Sequence, residues 1–131
     1  MSEPHQMSIR IYWEDTDAGG VVYHASYLRF MERGRTELLR ECGIDQMTLK
    51  AESALVFVVS AMDIKFRMPA KMDDQLTIET AITELGGASL GLQQKVMRGS
   101  ETLVEADVTC AVLAPDGKPA RIPADVKAKL A

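Results

Sequence analysis

Residues 14–42 read EDTDAGGVVYHASYLRFMERGRTELLREC, and their reading decides how the rest of the chain is arranged. The first third holds three acids (Glu14, Asp15, Asp17), the Gly19–Gly20 pair and His24, one of two histidines in the chain. Glycines at such a point allow backbone angles that other residues avoid, so this part reads as a tight loop. From about Ala25 the spacing becomes helical: Tyr27, Met31, Leu38 and Cys42 form an apolar stripe, with Gly34 inside it. Arg29, Glu32, Arg33, Arg35, Glu37, Arg40 and Glu41 fall on the other side, read as solvated or partner-facing. Arg33 and Glu37 are spaced to pair weakly. Gly34 costs about 1 kcal/mol relative to alanine, which suggests close approach of another backbone. Gly43 suits the residue just past a helix end.

A carboxylate just before a helix start has chemical potential. The first amides of a helix lack intrahelical acceptors and carry partial positive charge. They can polarise a carbonyl while the carboxylate attacks it or activates water. Asp17 is the candidate carboxylate, and the amide of His24 the candidate donor. Asp15 and Asp17 also form a D-x-D pair, but no third ligand stands nearby, so no metal site is read. Gly19–Gly20 lack the lysine of a phosphate-binding loop.

Outward from this stretch, residues 1–6 are polar and read as a loose tail. Residues 8–13 alternate, with Ile9, Ile11 and Trp13 on one face, which predicts a strand. After a loop over residues 45–53, four more strands are expected at 55–66, 75–85, 88–97 and 102–113. Turn signals at Gly86–Gly87, Gly99–Ser100 and Pro115–Asp116–Gly117 separate the later ones. Leu76, Ile78, Thr80 and Ile82 share a face of their strand. Pro123 opens a short helix, in its first position. Successive strands joined by short turns predict an antiparallel meander. The fold class is therefore α+β, a single domain over residues 1–131 with about five strands around one long helix.

Composition sets outer bounds. The chain has 131 residues, 47% of them hydrophobic, with net charge −4. No basic face points to nucleic acid, and no apolar run approaches a membrane span. MSEPHQMS has no signal-peptide core, so a cytoplasmic location is expected. Cys42 and Cys110 are too sparse for a disulfide framework or a zinc site and read as reduced core thiols.

Residues 12–37, YWEDTDAGGVVYHASYLRFMERGRTE, resemble the hotdog-fold thioesterases of the 4-hydroxybenzoyl-CoA thioesterase family, nearest the YbgC, Tol-Pal-associated branch. A weaker likeness runs through residues 58–80. The resemblance implies a curved antiparallel sheet around one helix, joined edge to edge in a homodimer or homotetramer. It implies a site at the subunit interface, acyl-CoA hydrolysis, and no metal or cofactor. It puts the catalytic carboxylate at Asp17, with a helper at His24. Tyr23 and Tyr27 are candidates to line the acyl pocket; Arg67, Lys71 and Arg121 are candidates to meet the anionic nucleotide. Acyl carrier protein is a possible partner. One departure is Trp13, where relatives of the branch usually carry tyrosine. Two other readings stand beside hydrolysis: a non-catalytic acyl-thioester or carrier-protein binding module, and a hotdog dehydratase or hydratase.

Overall fold

The structure is a computed structural model and describes residues 3–131. In chain order it contains β1 (His5–Arg10), a 3-10 turn (Trp13–Asp15), α1 (His24–Glu41), α2 (Gln46–Ser53), β2 (Val56–Phe66), β3 (Gln75–Leu85), β4 (Ser89–Arg98), β5 (Glu101–Leu113) and α3 (Ala124–Leu130). The strands form one antiparallel sheet in the order β1-β3-β4-β5-β2.

The long helix matches its expectation. Tyr27, Phe30, Met31, Gly34, Leu38 and Leu39 are buried along one side of α1. They lie on Leu76, Ile78, Leu90, Leu92, Val96 and the inward residues of β5. The side chains are alternate along each strand because successive residues point to opposite faces. Burying Phe30 or Met31 contributes roughly 1.5–3 kcal/mol each. The helix ends as its residues dictate. Gly43 takes φ 84°, its amide donating to the Arg40 carbonyl and that of Ile44 to the Leu39 carbonyl.

Several expectations are corrected. His5 and Gln6 are not part of a loose tail: they open β1 and pair with Thr80 and Glu79, while Met1 and Ser2 lie outside the described residues. Trp13 is not on a strand face, because the chain leaves the sheet after Arg10 and turns through the 3-10 segment. Residues 46–53, read as loop, form α2, capped by the Asp45 carboxylate accepting from the Met47 and Thr48 amides. Only β3, β4 and β5 form a meander. β2 pairs with β5 at the far edge, and β3 pairs with β1. The reason is the connection over residues 67–74, which does not fold back as a hairpin. The Arg67 and Met68 amides donate to the Leu103 carbonyl, and the Val22 amide to the Ala70 carbonyl. The chain thus crosses beside the loop before α1. Pro123 stands one residue before α3 rather than within it. Glu37 pairs with Arg40, not Arg33.

Gly34 meets side chains, not a backbone. A Cβ there would stand 2.8 Å from Ile78 Cγ2 and 2.9 Å from Thr80 Oγ1. This lets the helix sink onto a buried polar knot. Gln94, 0% exposed, donates through Nε2 to the Met31 carbonyl at 2.8 Å and to Thr80 Oγ1 at 2.9 Å. Its Oε1 accepts from Arg35 at 2.9 Å. Arg35, expected on the solvated side, is half-buried for this reason. A buried amide with every bond made fixes one register of helix on sheet. Gln94→Leu keeps the volume but strands Arg35 and Thr80. We expect about 2 kcal/mol of lost stability in urea unfolding; an unchanged midpoint would contradict the role assigned to the knot.

Candidate functional site

The loop between β1 and α1 is held by one buried acid. Asp15, 7% exposed, accepts the Tyr12 amide at 2.9 Å through Oδ2. Its carbonyl accepts the Tyr23 amide at 2.9 Å and the Ser26 hydroxyl at 3.3 Å. Arg29 reaches the same residue at 3.6 Å and bonds Ser26 Oγ at 3.1 Å. Asp15 therefore fastens the end of the first strand to the start of α1, a structural part. Glu14 is exposed and makes no side-chain hydrogen bond among the described residues.

Between these fastenings, residues 16–22 fold back on themselves. Thr16 and Val22 form an antiparallel bridge, and the Asp17 amide donates to the Val21 carbonyl at 2.9 Å. Gly20 takes φ 82°, as a glycine can without strain. Asp17 is exposed. Its Oδ1 accepts the Gly19 amide at 2.8 Å, which fixes the carboxylate's orientation and leaves Oδ2 without a protein partner among the described residues.

The helix that follows has no side-chain cap, and its first turn holds no acid. His24 is its first residue and is exposed. The Ser26 amide donates to the Tyr23 carbonyl at 2.8 Å, and the His24 and Ala25 amides are left to solvent or a ligand. The His24 ring is 4.5 Å from that of Tyr23 and 6.2 Å from that of Phe66. A cavity of about 230 Å³ lies here, lined by Val22, His24, Tyr27, Phe66, Arg67 and Pro69.

The other candidates fall in different places. Tyr23 is exposed beside His24. Tyr27 is buried, and its phenol oxygen accepts the Ala70 amide at 3.0 Å, so its hydroxyl serves the crossover segment while its ring lines the cavity. Burial pushes its pKa up. Arg67 borders the cavity but bonds Glu105 at 3.1 Å. Lys71 is exposed and bridged to Val21 through its backbone. Arg121 lies elsewhere: its guanidinium covers Gly87, at the turn between β3 and β4. That turn is at the opposite end of the sheet from Phe66, which pairs with Val104. Within one chain, then, Asp17, Tyr23, His24, Tyr27, Arg67 and Lys71 belong to one end and Arg121 to the other.

Two parts went unread in the sequence. Phe66 closes the cavity, and only its place before the R-M-P break marks it. Arg98 and Asp74 brace the crossover: Arg98 donates to Asp74 Oδ2 at 2.8 Å and to the Pro69 carbonyl at 3.3 Å. Burial alone would raise the Asp74 pKa, but the Lys71 amide and the Arg98 guanidinium outweigh it and hold the carboxyl below its usual range. A depressed carboxyl stabilises the fold above its unfolded pKa of about 3.9, and that contribution is lost as pH falls through the lower native value. Asp74→Asn is expected to cost about 1 kcal/mol at neutral pH and to flatten this acid limb in pH-dependent urea unfolding. An identical limb in the variant would contradict the brace.

With this geometry in hand, likeness to known proteins becomes informative. Residues 11–130 match the profile of the thioesterase-like superfamily. An acyl-CoA thioesterase YbgC of Haemophilus influenzae is 46% identical over 121 residues, 92% of this chain and 89% of that one. An acyl-CoA thioester hydrolase YbgC of Escherichia coli is 45% identical over 123 residues, 92% and 91%. Among solved structures, a probable thioesterase of Bartonella henselae is 44% identical with TM-score 0.88, covering 92% of this chain and 99% of that one. A 4-hydroxybenzoyl-CoA thioesterase is 24% identical with TM-score 0.91, and shares the fold over 99% and 100%.

Proposed function

Since the chain belongs to the thioesterase-like superfamily, in its YbgC-like branch, and has the hotdog fold, we propose that it hydrolyses acyl-CoA thioesters to free acid and CoA. The observation that carries the reading is the oriented, exposed Asp17 carboxylate on the loop that opens an uncapped helix. The relatives' names supply the substrate class; the loop supplies a means.

In this mechanism the thioester carbonyl points at the first amides of α1, with His24 the foremost donor. Negative charge developing on the oxygen is met by fixed dipoles, which need no reorganisation. Asp17 acts in one of two ways. It attacks the carbonyl carbon, the C–S bond breaks, the thiolate departs, and water then hydrolyses the mixed anhydride. Alternatively it takes a proton from a water that attacks directly. A thiolate leaves readily, so no strong general acid is needed. Tyr23, Tyr27 and Phe66 would flank the acyl group, with Arg67 and Lys71 towards the anionic nucleotide.

The whole of residues 1–131 is read as one domain that works as a dimer. β2 is an edge strand of 11 residues with an open outer side. Such an edge invites pairing with another chain. Two-fold antiparallel pairing of two β2 strands puts the Val56 end of one beside the Phe66 end of the other. Arg121 of one chain then shares an end of the assembly with Asp17 and His24 of its partner. A tetramer would be two such dimers. A cytoplasmic site of action, an acyl-carrier-protein partner and a Tol-Pal link belong to the same reading, which rests there on the branch alone.

Asp17→Asn is expected to lose roughly 100-fold or more in acyl-CoA turnover, followed by free-thiol release, with the fold intact. Full activity in this variant would refute the mechanism. Thioester binding by the wild type with no thiol release at any chain length would favour a non-catalytic binding module. A second variant addresses assembly. Ala61 is the middle residue of β2, so a pairing centred on the strand sets its two copies opposite each other. Ala61→Asp sets two like charges face to face and is expected to give monomers by light scattering, with turnover lost alongside. A wild type that is monomeric at full turnover would contradict the shared site.

A further inference from the structure

A groove of about 530 Å³ opens where the chain leaves β1. The buried Ile11, the half-buried Met72 and two exposed aromatic residues, Tyr12 and Trp13, line it. It shares no residue with the cavity at His24. β1 is the sheet edge opposite β2, so pairing of two β2 strands leaves the groove open. Its size falls within the roughly 300–1,000 Å³ of small-molecule sites. Trp13 is 73% exposed and Tyr12 59%. Two neighbouring rings left open to water mark a contact surface.

The groove also holds three charged residues, Arg10, Glu14 and Asp73, all exposed. The Arg10 guanidinium donates to the Asp73 carbonyl at 3.0 Å. Among the described residues, neither the Glu14 nor the Asp73 carboxylate has a cation within ion-pair distance. One positive charge therefore stands against two negative ones. The backbone beneath them is fixed. Asp73 is held at φ 70°, its amide donating to the Ile11 carbonyl at 3.1 Å; an aspartate tolerates that left-handed angle better than most residues. The Trp13 carbonyl accepts the Thr16 amide at 3.1 Å and the Thr16 hydroxyl at 2.9 Å. A bare metal ion would find two carboxylates here, and the described residues hold no group of three acidic, histidine or cysteine ligands. An anion would meet two uncompensated carboxylates. An organic cation meets both an aromatic surface and negative charge.

We propose that this groove binds an organic ammonium ion, with the cation over the Trp13 ring and its charge offset by Glu14 and Asp73. The face of an indole is the strongest of the aromatic side chains for a cation. Position 13 is also where relatives of the branch usually carry tyrosine, so the tryptophan strengthens the site in this chain. Two kinds of ion share the chemistry. A methylated ammonium ion presents a greasy cationic surface to the ring and donates no hydrogen bond. A primary alkylammonium ion keeps its N–H donors for the two carboxylates. The binding does not depend on the chain being a hydrolase, so it stands or fails apart from the proposed activity.

Trp13 is the only tryptophan of the chain, so its fluorescence reports on this groove alone. The full chain is titrated with choline, with putrescine and with 3,3-dimethyl-1-butanol, the neutral isostere of choline. At least one ammonium ion is expected to change the Trp13 emission and to bind about 10-fold or more tighter than the neutral alcohol. Choline ahead of putrescine assigns a methylated ion, and the reverse order a primary one. Asp73→Asn, which also tolerates the left-handed angle, and Glu14→Gln are each expected to weaken binding by about 3-fold or more. Trp13→Tyr, followed by calorimetry, is expected to weaken it similarly. An emission unmoved by both ammonium ions would overturn the proposal, as would equal affinity for choline and its isostere. So would a blue shift of the free chain that grows with protein concentration and mass, since a second copy would then cover the groove.

Discussion

The Asp15 carboxylate and carbonyl hold together everything that matters at the candidate site. A strand end, a 3-10 turn and the first turn of α1 all bond to this one buried residue. The carbonyl serves the Tyr23 amide and the Ser26 hydroxyl, and without the carboxylate the Tyr12 amide would lose its acceptor. An orphaned buried polar group costs about 1–3 kcal/mol. Because Asp15 closes the loop from inside, Asp17 can stand on its outer side with one oxygen fixed and the other free. Two aspartates two residues apart thus divide the work: one fixes the backbone, the other faces solvent.

The helix is positioned by a comparable arrangement further along. Gly34 lets α1 approach the sheet, and Gln94 ties the Met31 carbonyl to Thr80 and Arg35. The N-terminus of α1 is set by the Asp15 loop and its middle by the Gln94 knot. Between them the helix end has little freedom to tilt, which electrostatic stabilisation of a developing oxyanion requires. The crossover over residues 67–74 closes the remaining side, braced by Tyr27 and Arg98.

Much of this was legible in the sequence, and the losses have physical causes. The apolar stripe of α1 and the alternation of β3 through β5 are local patterns, so they read directly. The place of β2 is not local. Its partner residues lie 38 to 57 positions along the chain, and nothing in LVFVVSAMDIKF distinguishes pairing with β3 from pairing with β5. Residues 46–53 were missed because a short helix with one buried residue, Leu49, leaves almost no periodic trace. Asp17 and His24 are singled out by resemblance; composition alone offers only an acid near a helix start. Arg35 was misplaced because a charge beside the apolar stripe looks solvated until Gln94, far along the chain, gives it a buried acceptor. Arg121 was grouped with the site by charge, although within one chain it occupies the far end of the sheet.

The central claim is that the first amides of α1 receive the thioester oxygen beside Asp17. It is tested most directly by a crystal structure with a ketone analogue of an acyl-CoA, in which a methylene separates carbonyl and sulfur. The account predicts the carbonyl oxygen within hydrogen-bond distance of the His24 amide, and its carbon within reach of Asp17 or of a water that Asp17 holds. A carbonyl bound away from the start of α1, with Asp17 facing bulk solvent, would contradict it.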